Sequence, residues 1–122
     1  MSGLLFVCLG AVIGAPARYL MDRAVQARHD SGVPWGTLLV NMTGSLVLGV
    51  LAGVTTGHTL PPDLILLMGT GFCGTFTTYS AFAYETLRLV ETNQRLHAFA
   101  NVTVSITGGV GAAVIGYLIG AL

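Results

Sequence analysis

"GTGFCGTFTTYSAF", residues 69–82, sets three glycines and five serine or threonine hydroxyls in a stretch with no charge. The uncharged run around it, Leu64–Tyr84, is long enough to cross a bilayer, which takes about 20 mainly apolar residues. Glycine weakens a helix, and Ser and Thr compete for its backbone hydrogen bonds. Gly74 lies ten residues after Leu64, or about 15 Å at 1.5 Å per residue. That is half of a roughly 30 Å hydrocarbon core. The stretch therefore predicts a helix broken near the membrane midplane. Thr75, Thr77, Thr78 and Ser80 are candidate caps for a new helical start. A break leaves carbonyls that favour a cation on one side and N–H groups that favour an anion on the other. Tyr79 and Phe82 then share a face, and an aromatic ring has a positive edge. Core packing and the lining of an anion path are both open for this pair.

The rest of the chain fits that setting. Of 122 residues, 53% are hydrophobic and 8% charged, against roughly 25% charged in soluble domains. The charges cluster: Arg18, Asp22, Arg23, Arg28 and Asp30, then Glu85, Arg88, Glu91 and Arg95, with Asp63 alone. Between them lie four apolar segments, giving an all-α membrane protein of one domain, residues 1–122. Its four transmembrane helices are expected at about 3–21, 35–56, 62–90 and 98–121. A soluble four-helix bundle would need polar outer stripes, which the sequence lacks. Ala15-Pro16-Ala17 mimics a signal-peptide cleavage site, but no positive charge precedes the apolar run, so the segment is read as retained. Net charge is zero, and nothing suggests a nucleic-acid partner.

Small residues recur four apart at Gly10/Gly14, Gly49/Gly53/Gly57 and Gly108/Ala112/Gly116/Gly120. That spacing puts them on one helix face, where backbones approach closely. With so little interior, some of these faces are expected to meet a second subunit. Pro61 and Pro62 suit the first turn of the third helix. Ser31–Pro34 reads as a turn, and Trp35 as an interfacial aromatic. Glu85, Arg88, Glu91 and Arg95 form a ladder on one side of the third helix. Cys8 and Cys73 read as small buried hydrophobes. His29, His58 and His97 lack ligand spacing. Asn41 and Ser45 share a face, as do Asn101 and Ser105, and polar groups within a membrane face the bundle or water. Arg18 either snorkels to the interface or holds positive potential at a pore mouth.

These residues carry a resemblance. "GAVIGAPARYLMDR" (10–23), "PWGTLLVNMTGSLVLG" (34–49) and "GFCGTFTTYSAFAYE" (71–85) closely resemble the CrcB/Fluc fluoride channels, over essentially the whole chain. The resemblance implies an antiparallel, dual-topology dimer in the bacterial inner membrane. The third-helix breaks meet at its two-fold axis around a structural Na⁺, bound by the backbone carbonyls of Gly74 and Thr77. It implies two fluoride pores lined by Asn41, Tyr79, Phe82, Ser80 and Thr78, with Asn101 and Ser105 on a polar track and Arg18 at the mouth. Tyr79 departs from the pattern, which has phenylalanine there. The implied activity is passive, fluoride-specific export that reduces fluoride toxicity, with no enzymatic step.

The arginines add a complication. Arg23 and Arg28 follow the first span, and Arg88 and Arg95 separate the third from the fourth, so all four face one side. The other side has no Arg or Lys. Such a bias sets orientation. It predicts either a chain of fixed orientation, paired with an oppositely oriented paralogue, or a homodimer with masked arginines. Two rival functions remain: a proton-coupled small multidrug exporter, which needs an embedded carboxylate that the first helix lacks, and a non-transporting helical assembly.

Overall fold

The computed structural model describes residues 2–28 and 34–122. His29, Asp30 and most of the expected 31–34 turn lie outside the described residues. Among the described residues, four helical passes are long and apolar enough to cross a membrane: Gly3–Arg28, Trp35–Gly57, Pro62–Glu91 and Arg95–Gly120. The first is α1, Ser2–Arg28, which continues through Pro16. The second is α2, Trp35–Gly57. The third pass contains α3 (Pro62–Ile65), a π-helical segment (Leu66–Cys73), α4 (Gly74–Phe76) and α5 (Ser80–Glu91). The fourth is α6, Arg95–Gly120. The first helix runs seven residues beyond its expected end at residue 21 (28 against 21), and the fourth starts three earlier (95 against 98). Charge marks where a helix leaves lipid, not where its hydrogen bonds stop.

Two parallel pairs build the bundle. The first pairs α1 with the third pass. A Cβ on Gly10 would meet the amide nitrogen of Phe72 at 2.7 Å and the Cα of Gly71 at 2.9 Å. One on Gly14 would meet the Phe72 carbonyl oxygen at 2.6 Å. The second pairs α2 with α6. Gly49 and Gly53 press on the backbones of Ala113 and Tyr117, while Gly116 and Gly120 press on those of Leu46 and Val50. Each glycine thus lets a helix touch a neighbour's backbone. These four glycines are used within one chain, whereas a Cβ on Gly57 or Gly111 would meet nothing within 4 Å.

The π-helical segment sits where Gly10 and Gly71 nearly touch. π-Helical turns shift the backbone register and are frequent at functional sites. Beyond it, the expected charge ladder is corrected. Helix α5 ends at Glu91, and Asn93 takes φ 63° in the turn that follows, so Arg95 opens α6 and leaves the ladder. Glu85 is no solvated rung either, because Thr37 on α2 donates its hydroxyl to the Glu85 carboxylate. At the same end, the N–H of Gly36 donates to Gln26 Oε1 (3.0 Å), tying α1 to the start of α2.

The outward surface is apolar. Leu4, Val12, Ile13, Leu20, Phe99, Val110 and Leu118 are exposed. Lipid tails can cover such a surface without the polar stripe that water demands. Cys8 is also exposed, contrary to the expectation of burial, whereas Cys73 is buried. Trp35 stands partly exposed at the start of α2.

Candidate functional site

The third pass leaves helical geometry after Phe76. Thr77 is extended (φ −82°, ψ 160°), and helical residues resume at Ser80. The N–H of Thr77 still reaches the Cys73 carbonyl (3.0 Å), and the ladder of α5 opens with Ala83 N–H on the Tyr79 carbonyl (2.9 Å). Thr78 stands between the two ladders.

Its backbone groups are satisfied from another helix. Thr78 N–H donates to Asn41 Oδ1 (2.8 Å), and Asn41 Nδ2 donates back to the Thr78 carbonyl (3.0 Å). The Thr78 hydroxyl accepts from Ala81 N–H (3.2 Å), so of the four candidate caps it is Thr78, one residue before the N-cap Tyr79, whose side chain serves the first turn of α5. Thr75 and Thr77 instead donate back to the carbonyls of Gly71 (2.8 Å) and Cys73 (2.7 Å). In a continuous helix Thr78 N–H would serve the Gly74 carbonyl, and Ala81 N–H the Thr77 carbonyl. Both donors are spent elsewhere. The carbonyls of Gly74 and Thr77 thereby lose their helical partners, as a backbone site for a cation requires. Hard monovalent cations take oxygen ligands of this kind, so these residues fit the Na⁺ expected of them.

A cavity of about 660 Å³ opens beside this segment. Asn41, Gly74, Thr77, Thr78, Tyr79, Phe82 and Ser105 line it, together with Ser45 and Gly44. No Asp, Glu, Lys or Arg is among its lining residues. Gly44 is required at this wall, because a Cβ there would collide with the Thr77 methyl. The Tyr79 and Phe82 rings lie 6.2 Å apart, tilted by 49°. Tyr79 is 80% exposed and Phe82 half-buried.

Three sequence-predicted residues lie outside this lining. Asn101 is buried behind it, 5% exposed. Its Nδ2 donates to Thr86 Oγ1 (2.8 Å), and Ser105 Oγ lies 3.5 Å from its Oδ1. The Thr86 hydroxyl in turn donates to the Phe82 carbonyl (2.8 Å). Ser80 is exposed at the start of α5, with its hydroxyl 3.4 Å from that of Thr78. Arg18 is half-buried on α1. Sequence reasoning missed Gly44 and Thr86. The signal for Thr86 was its place four residues after Phe82, but charged neighbours hid it.

A second, polar cavity of about 420 Å³ lies at the arginine-bearing end. Asp22, Gln26, Glu85, Arg88, Thr92 and Gln94 line it. It joins the ends of α1 and α5 to the starts of α2 and α6, so the regions holding Arg23, Arg88 and Arg95 face one side.

Comparison with known proteins gives this site a context. Residues 5–117 match the family described as "CrcB-like protein, Camphor Resistance (CrcB)". A Streptomyces avermitilis protein named fluoride-specific ion channel FluC 1 is 54% identical over 112 residues, covering 92% of this chain and 90% of its own length. Fluoride-specific ion channel FluC 2 of Mycobacterium bovis is 47% identical over 104 residues, covering 85% and 79%. Fluoride-specific ion channel FluC of Anaeromyxobacter dehalogenans is 42% identical over 114 residues, covering 93% and 90%.

Proposed function

From the premise that this chain belongs to the CrcB family, a family of multi-pass bacterial membrane proteins, we propose that it is a fluoride-specific channel that passively exports F⁻ and so reduces fluoride toxicity. The single observation that carries this reading is the cavity beside Thr77–Tyr79. It gathers amide and hydroxyl donors and two aromatic rings in one uncharged pocket. A small anion needs donors and positive ring edges. Conduction also requires binding weak enough for the ion to leave, which uncharged donors allow.

Fluoride follows Asn41, Tyr79, Phe82, Ser80 and Thr78, with Asn101 and Ser105 on the polar track. One Asn41 amide hydrogen is spent on Thr78, which leaves the second for an anion. The N-terminal end of α5 adds partial positive charge where Ser80 begins the helix. Arg18 raises the potential at the mouth. The carbonyls of Gly74 and Thr77 would hold a structural Na⁺, supplying a fixed positive charge near the path. The irregular backbone at 77–79 is a break near the bilayer midplane, tolerated because protein and a polar cavity satisfy it.

The driving force requires no chemical step. HF crosses lipid as a neutral acid, and fluoride released inside is trapped by its charge. A membrane potential that is negative inside expels the anion, with about 2.3 kcal/mol per 100 mV for each charge. The test is efflux from liposomes that hold the purified protein, read with a fluoride electrode. Fluoride release without chloride release is the expected result. No release of either ion from this chain alone favours a non-transporting assembly or a missing partner subunit, and no release with the oppositely oriented paralogue present as well overturns the channel reading.

The exposed Tyr79 calls for a second subunit, since a phenol on the bundle surface at midplane depth otherwise faces hydrocarbon. We therefore place the chain in an antiparallel dimer. The partner is an oppositely oriented paralogue or a second copy, and the one-sided arginines favour the paralogue. Reporter fusions at the C terminus are then expected to give signal on one face of the membrane. Equal signal on both faces would sink the paralogue pairing in favour of the homodimer.

A further inference from the structure

We propose that Asn41 is a positioning residue whose side-chain amide holds the third pass open, by taking the place of the helical partners of Thr78. A primary amide carries a donor and an acceptor side by side, as a peptide group does. Asn41 turns both on one residue. Its Oδ1 accepts from Thr78 N–H at 2.8 Å, and its Nδ2 donates to the Thr78 carbonyl at 3.0 Å. The two residues are 37 positions apart, so the bonds are tertiary.

The competition is with the helix itself. Thr78 N–H has two possible acceptors, the Gly74 carbonyl along its own chain and the amide of α2. Choosing α2 leaves Thr77 extended (ψ 160°) and strips Gly74 of its helical donor. In a low-dielectric setting an unpaired backbone group is costly. The open form therefore requires a partner that supplies both hydrogen bonds at once. Among the cavity-lining residues, Asn41 is the only amide side chain. The hydroxyl of Ser45, one turn along α2, would have to donate and accept through one oxygen atom, whereas the Asn41 amide places its donor and its acceptor on two separate atoms. Nothing here depends on which ion uses the cavity, so the inference stands apart from the channel reading.

The test reads backbone conformation directly. Thr77 and Thr78 carbon shifts are recorded by solid-state NMR on labelled protein in bilayers. Asn41→Leu keeps the side-chain size and removes both bonds. The Thr77 Cα and Cβ shifts should then leave extended values, either toward helix or into several populations. Asn41→Asp keeps the acceptor for Thr78 N–H and, when ionised, loses the donor. It should preserve the Thr78 amide shift and move that of the Thr78 carbonyl carbon, which remains readable if the leucine variant does not fold. Phe82→Ile should leave Thr77 extended even though it impairs flux. Unchanged Thr77 shifts in Asn41→Leu, or an unchanged Thr78 carbonyl in Asn41→Asp, would overturn the proposal. Wild-type protein that passes no fluoride, alone or with an oppositely oriented paralogue, would sink the channel reading and leave this one standing.

Discussion

Replacing Phe82 by isoleucine is expected to cut fluoride efflux from liposomes by at least roughly tenfold, equivalent to about 1.4 kcal/mol on the transport barrier. Phe82 lines the uncharged cavity, with its ring 6.2 Å from that of Tyr79. Isoleucine keeps an apolar side chain of comparable bulk, and the Phe82 carbonyl, which accepts from Thr86, is untouched. What disappears is the ring edge, where the aromatic quadrupole is positive. The variant should therefore fold and elute as wild type does while its flux falls. Full flux in a well-folded variant would show that the ring is packing and not path.

Gly53→Leu or Gly116→Leu is expected to destabilise the bundle by about 3 kcal/mol or more, the upper range for forcing bulk into a packed site. A Cβ on Gly53 would collide with the Tyr117 carbonyl oxygen and come within 3.0 Å of the Ala121 amide nitrogen. One on Gly116 would collide with the Leu46 carbonyl oxygen and lie 2.9 Å from the Val50 amide nitrogen. Every one of these neighbours is backbone, so no side chain can swing aside. The two parallel helices must separate along their length, giving up dispersion contacts that hydrophobicity cannot replace in lipid. Gly57→Leu is the control, because a Cβ there meets nothing within 4 Å. Thermal unfolding in detergent should show a large loss for the first two and little for the third. Equal behaviour of all three would refute the close α2–α6 crossing.

Particular residues show how far sequence carried the reading. The glycines four apart on the second and fourth helices announced backbone contact, and α2 and α6 make it. Sequence put Asn41, Thr78, Tyr79, Ser80, Phe82, Asn101 and Ser105 along one pore with Gly74 and Thr77 beside it; one cavity is lined by all of these except Ser80 and Asn101. Asn101, expected on the polar track, is buried and does not line the cavity; its amide donates to Thr86, and Ser105 stands between it and the lining. Glu85 looked like a solvated rung because its helix neighbours are charged. Its carboxylate instead meets Thr37, 48 residues away. Cys8 looked buried because its neighbours in sequence are apolar, yet apolar residues also cover the outside of a bundle made for lipid.

Sequence by itself determined the number of membrane passes and the chemistry available at mid-span. Both follow from short-range properties: runs without charge, helix-weakening glycines, and hydroxyls at fixed spacing. Tertiary structure alone decided which carbonyls are left without a helical donor. A backbone N–H chooses among acceptors by geometry, and the acceptor that draws Thr78 out of its helix belongs to Asn41 on another one. No local pattern encodes that choice, because it exists only once α2 is packed against the third pass.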